Sequence, residues 1–127
     1  MLATNAARSV LECTDTRLRV LISNNSTDQK ESEQLVEFVT GCVDARLSLV
    51  RPSDPLPMTR HWDWALNTLL ADPDLSHIVV LTDRMMYKHG TLPELLSILS
   101  QYPNDIVTFN HDRVVDNGSP ITINLAD

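Results

Sequence analysis

Glycine is scarce in this chain. Three glycines in 127 residues leave no run able to form a phosphate-cradling loop, so a P-loop and a dinucleotide fingerprint are excluded. Cysteine is scarcer still. Cys13 and Cys42 stand far apart without CxxC-type spacing, and both are expected to stay reduced and pack as small apolar groups. There is no excess of basic residues. Ten Lys and Arg against 17 Asp and Glu give a net charge of −7, which argues against a nucleic-acid or anionic-membrane binder, whose phosphate contacts need a basic surface. A nucleotide remains compatible, because it needs only a local positive or metal-lined site. No apolar run approaches the ~18 residues of a membrane span. The first residues, Met-Leu-Ala-Thr-Asn-Ala-Ala-Arg, lack a basic segment followed by an apolar stretch, so no signal peptide is read and a cytoplasmic location is expected. A serine elbow and a Cys–His pair are also missing.

The length fits one domain spanning 1–127, able to bury roughly two-thirds of its unfolded surface. Leu2, Ala3, Ala6, Ala7, Val10 and Leu11 fall at helical spacing. Residues 18–23 read as a buried strand. Asp28 with Glu31 is an N-cap signature for a helix carrying Leu35, Phe38, Val39 and Cys42 on one face. Residues 46–50 alternate as a second strand, and the proline-rich Arg51-Pro-Ser-Asp-Pro-Leu-Pro57 excludes a helix after it. Thr59 is expected to cap a helix with Trp62, Ala65, Leu66, Leu69 and Leu70 on its apolar face, and Trp62 is assigned to the core. Residues 77–82 read as the most apolar strand. Thr91-Leu-Pro-Glu94 is a capping box for a helix to about Gln101. Strands at 106–109 and 121–125, with a hairpin-type Asp116-Asn-Gly118 turn, complete the pattern. Helices and strands alternate, so the expected fold is α/β, with a mostly parallel Rossmann-like sheet flanked by helices. An opening helix with no strand to feed it implies that a first strand is missing.

Two strand endings concentrate the chemistry. In an open α/β sheet, ligands bind outside the carboxyl ends of the strands. Ser23, Asn24 and Asn25 end the first strand, and their donors and acceptors suit a nucleobase or ribose, or an ordinary βα turn. Asp83 ends the 77–82 run, where its carboxylate can hold a divalent metal or a substrate hydroxyl, or simply terminate the strand. Arg60 lies in an aromatic-polar cluster at a helix start, a position that favours a diphosphate. His61 reads as a surface or hydrogen-bonding histidine. Asn110-His111-Asp112 lacks a third metal ligand.

Four segments in order resemble the family 2 glycosyltransferases, which have the GT-A nucleotide-sugar-binding fold. Leu2 to Leu11, "LATNAARSVL", resembles the helix after that family's first strand. "RVLISNNSTD" resembles its second strand and nucleoside-contacting turn. "RPSDPLPMTRHWDWAL" resembles the segment where a basic residue precedes the helix lining the diphosphate. "HIVVLTDRMMYKHGTLPELLSIL" resembles the strand with the acidic metal motif and the following helix start, Lys88-His89-Gly90-Thr91-Leu92. The likeness covers roughly residues 2–112. It implies binding of a nucleotide-diphosphate sugar for transfer to an acceptor hydroxyl. Ser23, Asn24 and Asn25 would then touch the nucleoside, Arg60 and Arg84 would face the diphosphate, and Asp83 would hold the ribose or a Mn²⁺ or Mg²⁺ ion.

Three departures stand out. The family's opening strand and Pro-Thr-x-Asn-like turn are missing. Thr82-Asp83-Arg84-Met85 replaces a paired acidic motif, and a single carboxylate holds a hard cation less well. The acceptor half with its catalytic base is not present, so little transferase activity is expected of this chain. The rival expectation is a non-catalytic Rossmann-like interaction domain, or a degenerate paralogue, that dimerises through an exposed sheet edge.

Overall fold

A computed structural model describes residues 2–104 and the short strands at 113–114 and 120–121. The elements in chain order are α1 (Leu2–Leu11), β1 (Val20–Ser23), α2 (Gln29–Gly41), β2 (Leu47–Val50), α3 (Met58–Leu70), α4 (Leu92–Gln101), β3 (Arg113–Val114) and β4 (Pro120–Ile121).

β1 and β2 pair in parallel, Val20 opposite Leu47 and Ser23 opposite Val50, with α2 as the crossover. A parallel pair needs such a connection, because a short turn cannot bring the chain back to the same end. β3 and β4 form a separate antiparallel pair, with Arg113 opposite Ile121. The expected α/β class holds at this level, as helices around a small parallel sheet. The calls on 106–109, Asn110-His111-Asp112, the 116–118 turn and most of 121–125 lie outside the described residues.

α1 packs on β1, α2 packs on β2, and the two helices touch. Ala6, Ala7 and Leu35 are buried at these contacts, and the Arg8 guanidinium lies 5.4 Å from the centre of the Phe38 ring. A second core forms where Leu92, Leu95 and Leu99 of α4 meet Val10, Cys13, Leu18 and Tyr87. Both cysteines are free and partly buried.

Local sequence explains most helix starts. Asp28 caps α2, its Oδ1 accepting from the N–H groups of Lys30 at 2.8 Å and Glu31 at 3.2 Å. Glu31 does not close the box. Ser26 donates to the Glu31 carboxylate at 2.8 Å, and its Oγ accepts the Asp28 N–H instead. Thr91 flanks α4 as expected, but its hydroxyl donates back to the Lys88 carbonyl at 2.7 Å and makes no cap bond. Gly90 precedes it with φ +80, a backbone conformation that disfavours any side chain. α3 begins one residue before Thr59, with Pro57 at the cap position and no side-chain cap, because proline supplies the helix-compatible φ at the end of the Pro-rich segment.

Two core expectations are corrected. Residues 77–82 form no strand and pair with none among the described residues. Trp62 is 46% exposed, and α3 buries no residue, because a two-stranded sheet offers too narrow a face for its apolar stripe.

Arg46 joins α1 to β2. Its guanidinium bonds the Asp44 carboxylate at 2.7 Å and donates to the carbonyls of Leu11 at 3.2 Å, Asp15 at 3.1 Å and Cys13. It thereby satisfies a carbonyl at the carboxyl end of α1, where a cation also favours the helix dipole. The side-chain hydrogen bond from Arg46 lowers the Asp44 pKa to about 2, and that from Arg17 lowers the Asp15 pKa to about 2. Both folded values lie below the ordinary 3.8. The unfolded chain therefore binds these protons first on acidification. The contribution is fully present above the unfolded pKa and is lost as pH falls through the folded one. Solvent screens both pairs, so melting curves at pH 7, 4 and 2 are expected to show a small loss of stability, confined to the last interval.

Candidate functional site

A cavity of about 530 Å³ runs along β1. Its walls include Val20, Leu21, Ile22 and Ser23 on one side and residues 74–79 with Leu81 on the other. α1 contributes Ala3, Ala6, Ala7 and Val10, and α4 contributes Leu92, Leu95 and Leu99. The volume lies within the range of small-molecule sites. Ser23 and Asp83, distant in sequence, both line it. Asp83 is exposed in a turn closed by the Met85 N–H donating to the Thr82 carbonyl at 3.0 Å, and it has no ion pair among the described residues.

Ser23 is engaged from behind. Its Oγ lies 2.7 Å from His61 Nε2, and His61 in turn stacks on Trp64 with ring centres 6.3 Å apart. Burial pushes the His61 pKa down, so the neutral imidazole is favoured in the fold. This contact ties the carboxyl end of β1 to the first turns of α3. It also places Trp64 against a ring rather than in the core.

The two asparagines serve the backbone. Asn24 is buried, its N–H donating to the Val50 carbonyl and its Oδ1 accepting from the Ser26 N–H at 2.9 Å. Such an Asx turn lets the chain leave the strand sharply. Asn25 holds the Pro-rich segment at both ends of its amide: Nδ2 donates to the Leu56 carbonyl at 2.7 Å, and Oδ1 accepts the Leu56 N–H at 2.9 Å. Arg60 and Arg84 are exposed, and neither lines the cavity. Arg60 precedes His61 in the uncapped first turn of α3.

The structure thus brings Ser23 and Asp83 to one cavity. It puts Asn24 and Asn25 to work in turns and leaves Arg60 and Arg84 outside the wall. His61 is the residue that sequence reasoning undervalued. No local signal pointed to its partner, because α2 and β2 lie between Ser23 and α3 in the chain.

For a cation, Asp83 is the one carboxylate beside the carboxyl end of β1 in the cavity lining among the described residues, and no cluster of three or more His, Cys, Asp or Glu is present among them. Magnesium-type ions are commonly held through one or two carboxylates, with phosphate oxygens and water filling the shell. Asp83 fits that donor set only with a diphosphate present. No helix among the described residues is long and apolar enough to cross a membrane.

Comparison with protein-family models, curated proteins and solved structures found no match.

Proposed function

We propose that the chain is a glycosyltransferase-like domain of GT-A type that binds a nucleotide-diphosphate sugar, the donor for transfer to an acceptor hydroxyl. The observation that carries this reading is the shared cavity of Ser23 and Asp83 beside the carboxyl end of β1. That is the position where open α/β sheets hold their ligands. The ordered resemblance of residues 2–112 to the family 2 enzymes supports it.

In this reading Asp83 holds the ribose hydroxyls or, together with the diphosphate, a Mn²⁺ or Mg²⁺ ion. Ser23, oriented by His61, meets the nucleoside. Asn24 and Asn25 shape the turn around it through their backbone and amide bonds. Arg60 and the free N–H groups at the start of α3 attract the diphosphate. A bound metal would supply charge neutralisation of the diphosphate leaving group. The chain's own residues bind and orient the donor.

Asp83→Ala tests the assignment. Asp83 is exposed and makes no hydrogen bond among the described residues, so the variant is expected to melt within a degree or so of the parent. Its affinity for the preferred nucleotide sugar, measured by calorimetry, is expected to fall at least tenfold. Unchanged affinity in a folded variant would remove Asp83 from the site.

A further inference from the structure

We propose that Ser23 and His61 form a nucleophile–base pair that cleaves small uncharged esters with an aliphatic acyl group. The inference goes beyond the donor-binding reading and does not rest on it.

Geometry supplies the pair. Ser23 Oγ lies 2.7 Å from His61 Nε2, within the reach a base needs to take a hydroxyl proton. With the imidazole proton on Nδ1, Nε2 accepts that hydroxyl hydrogen. His61 is partly buried and stacks on Trp64 at an interplanar angle of 19°, which limits rotation of the ring. Burial favours the neutral imidazole, the form able to act as a base.

Position makes the serine usable. Ser23 is the last residue of β1, and the chain turns sharply at Asn24 before entering α2. A serine between a strand and such a turn can present its hydroxyl at the sheet end. Ser23 is half-buried and lines the cavity, whereas His61 does not, so the imidazole reaches the hydroxyl from outside the cavity wall. The N–H groups of Val20 and Asn24 donate to the carbonyls of Arg46 and Val50 on the β2 side. Alternation along the strand therefore turns the Ser23 N–H away from β2. The backbone N–H of a nucleophilic serine is a donor for the oxyanion that forms on attack.

The lining selects the substrate. Leu21, Ile22 and Leu81 share the cavity with Ser23 and suit an aliphatic acyl chain. Asp83 lines the same cavity and disfavours an anionic one. In the reaction a bond forms between Oγ and the ester carbonyl carbon while the hydroxyl proton passes to Nε2. Collapse breaks the bond to the leaving oxygen, which takes that proton and departs as the alcohol. Water, deprotonated by the same nitrogen, then attacks the acyl-serine, and the carboxylic acid leaves as the proton returns to Oγ.

The test uses the whole 127-residue chain without nucleotide or metal, so its failure is separate from failure of donor binding. The probe is an alkyl fluorophosphonate, which forms an Oγ–P bond as fluoride leaves. Peptide mass mapping is expected to find one adduct, on Ser23, and Ser23→Ala is expected to lose it. The labelling rate is expected to rise with pH and level off above a midpoint below 6.5, the ordinary histidine value, because burial lowers that of His61. A serine held in a merely structural bond would not show that plateau. His61→Gln is expected to slow labelling roughly a hundredfold or more. If either variant fails to melt cooperatively, the adduct site and pH profile of the parent chain decide. A cooperatively folded parent that takes no adduct on Ser23 in excess probe overturns the proposal. So does a Ser23 labelling rate that climbs with pH without a plateau, or one that a folded His61→Gln leaves unchanged.

Discussion

Arg46→Ala is expected to lower stability by about 3 kcal/mol, on the order of 10 °C in the unfolding midpoint of a domain this size. Hydrogen bonds involving a charged group contribute about 1.5–3 kcal/mol each, and the several made by Arg46 are not independent. The guanidinium is 16% exposed and serves Leu11, Cys13, Asp15 and Asp44 together. Truncation removes the guanidinium donor from the Leu11 and Cys13 carbonyls, leaves Asp15 with the Leu18 N–H as its donor, and detaches the end of α1 from the start of β2. Lysine is not an adequate replacement, because one ammonium cannot reproduce the planar fork. Arg17→Ala is the control. Among the described residues Arg17 pairs with its near neighbour Asp15 alone, and it is 72% exposed, so its loss is expected to leave the midpoint almost unmoved. Equal effects from the two variants in thermal melts would refute the assignment of Arg46 as the joint.

Leu95→Ala is the second large effect. Leu95 lies within the cluster of Leu92 and Leu99, with Val10, Cys13, Leu18 and Tyr87 around it. Deleting a buried leucine side chain costs about 2–5 kcal/mol, and the lower end applies where surrounding groups can relax. The cavity beside α4 gives them room, so a loss of about 2 kcal/mol is expected. Ile98, on the same helix but 37% exposed, is expected to cost less than about 1 kcal/mol when truncated. Urea denaturation of the two variants checks this ranking, and an Ile98→Ala loss matching that of Leu95→Ala would contradict it.

Much of the local structure was legible in the sequence. The stripes of α1, α2 and α4 recur every three to four residues, and Asp28 announces its helix through its own side chain, so neighbours in sequence determine both. The parallel pairing of β1 with β2 followed from a helix between two short strands. What failed depended on distant partners. The 77–82 run has a strand's composition, but a strand exists only where another backbone accepts its hydrogen bonds. Trp62 has a core residue's spacing, but burial requires a surface opposite α3, and two strands do not provide one. At the site, Ser23 and Asp83 were legible as strand-end polar residues. The bond of Ser23 to His61 was not, because no local pattern links a strand end to a later helix. The amide bonds of Asn24 and Asn25 show the same ambiguity from the other side, since a turn and a nucleoside use the same donors and acceptors.

The most direct test of donor binding is a thermal-shift panel of UDP-, GDP-, CDP- and dTDP-sugars on this chain, each with Mn²⁺ and with EDTA. Ligand at about 100 times its dissociation constant adds roughly 2.7 kcal/mol, several degrees of midpoint at this size. The predicted result is a rise with one nucleotide sugar that EDTA removes. A cooperative melt that none of the four moves would contradict nucleotide-sugar binding by this domain.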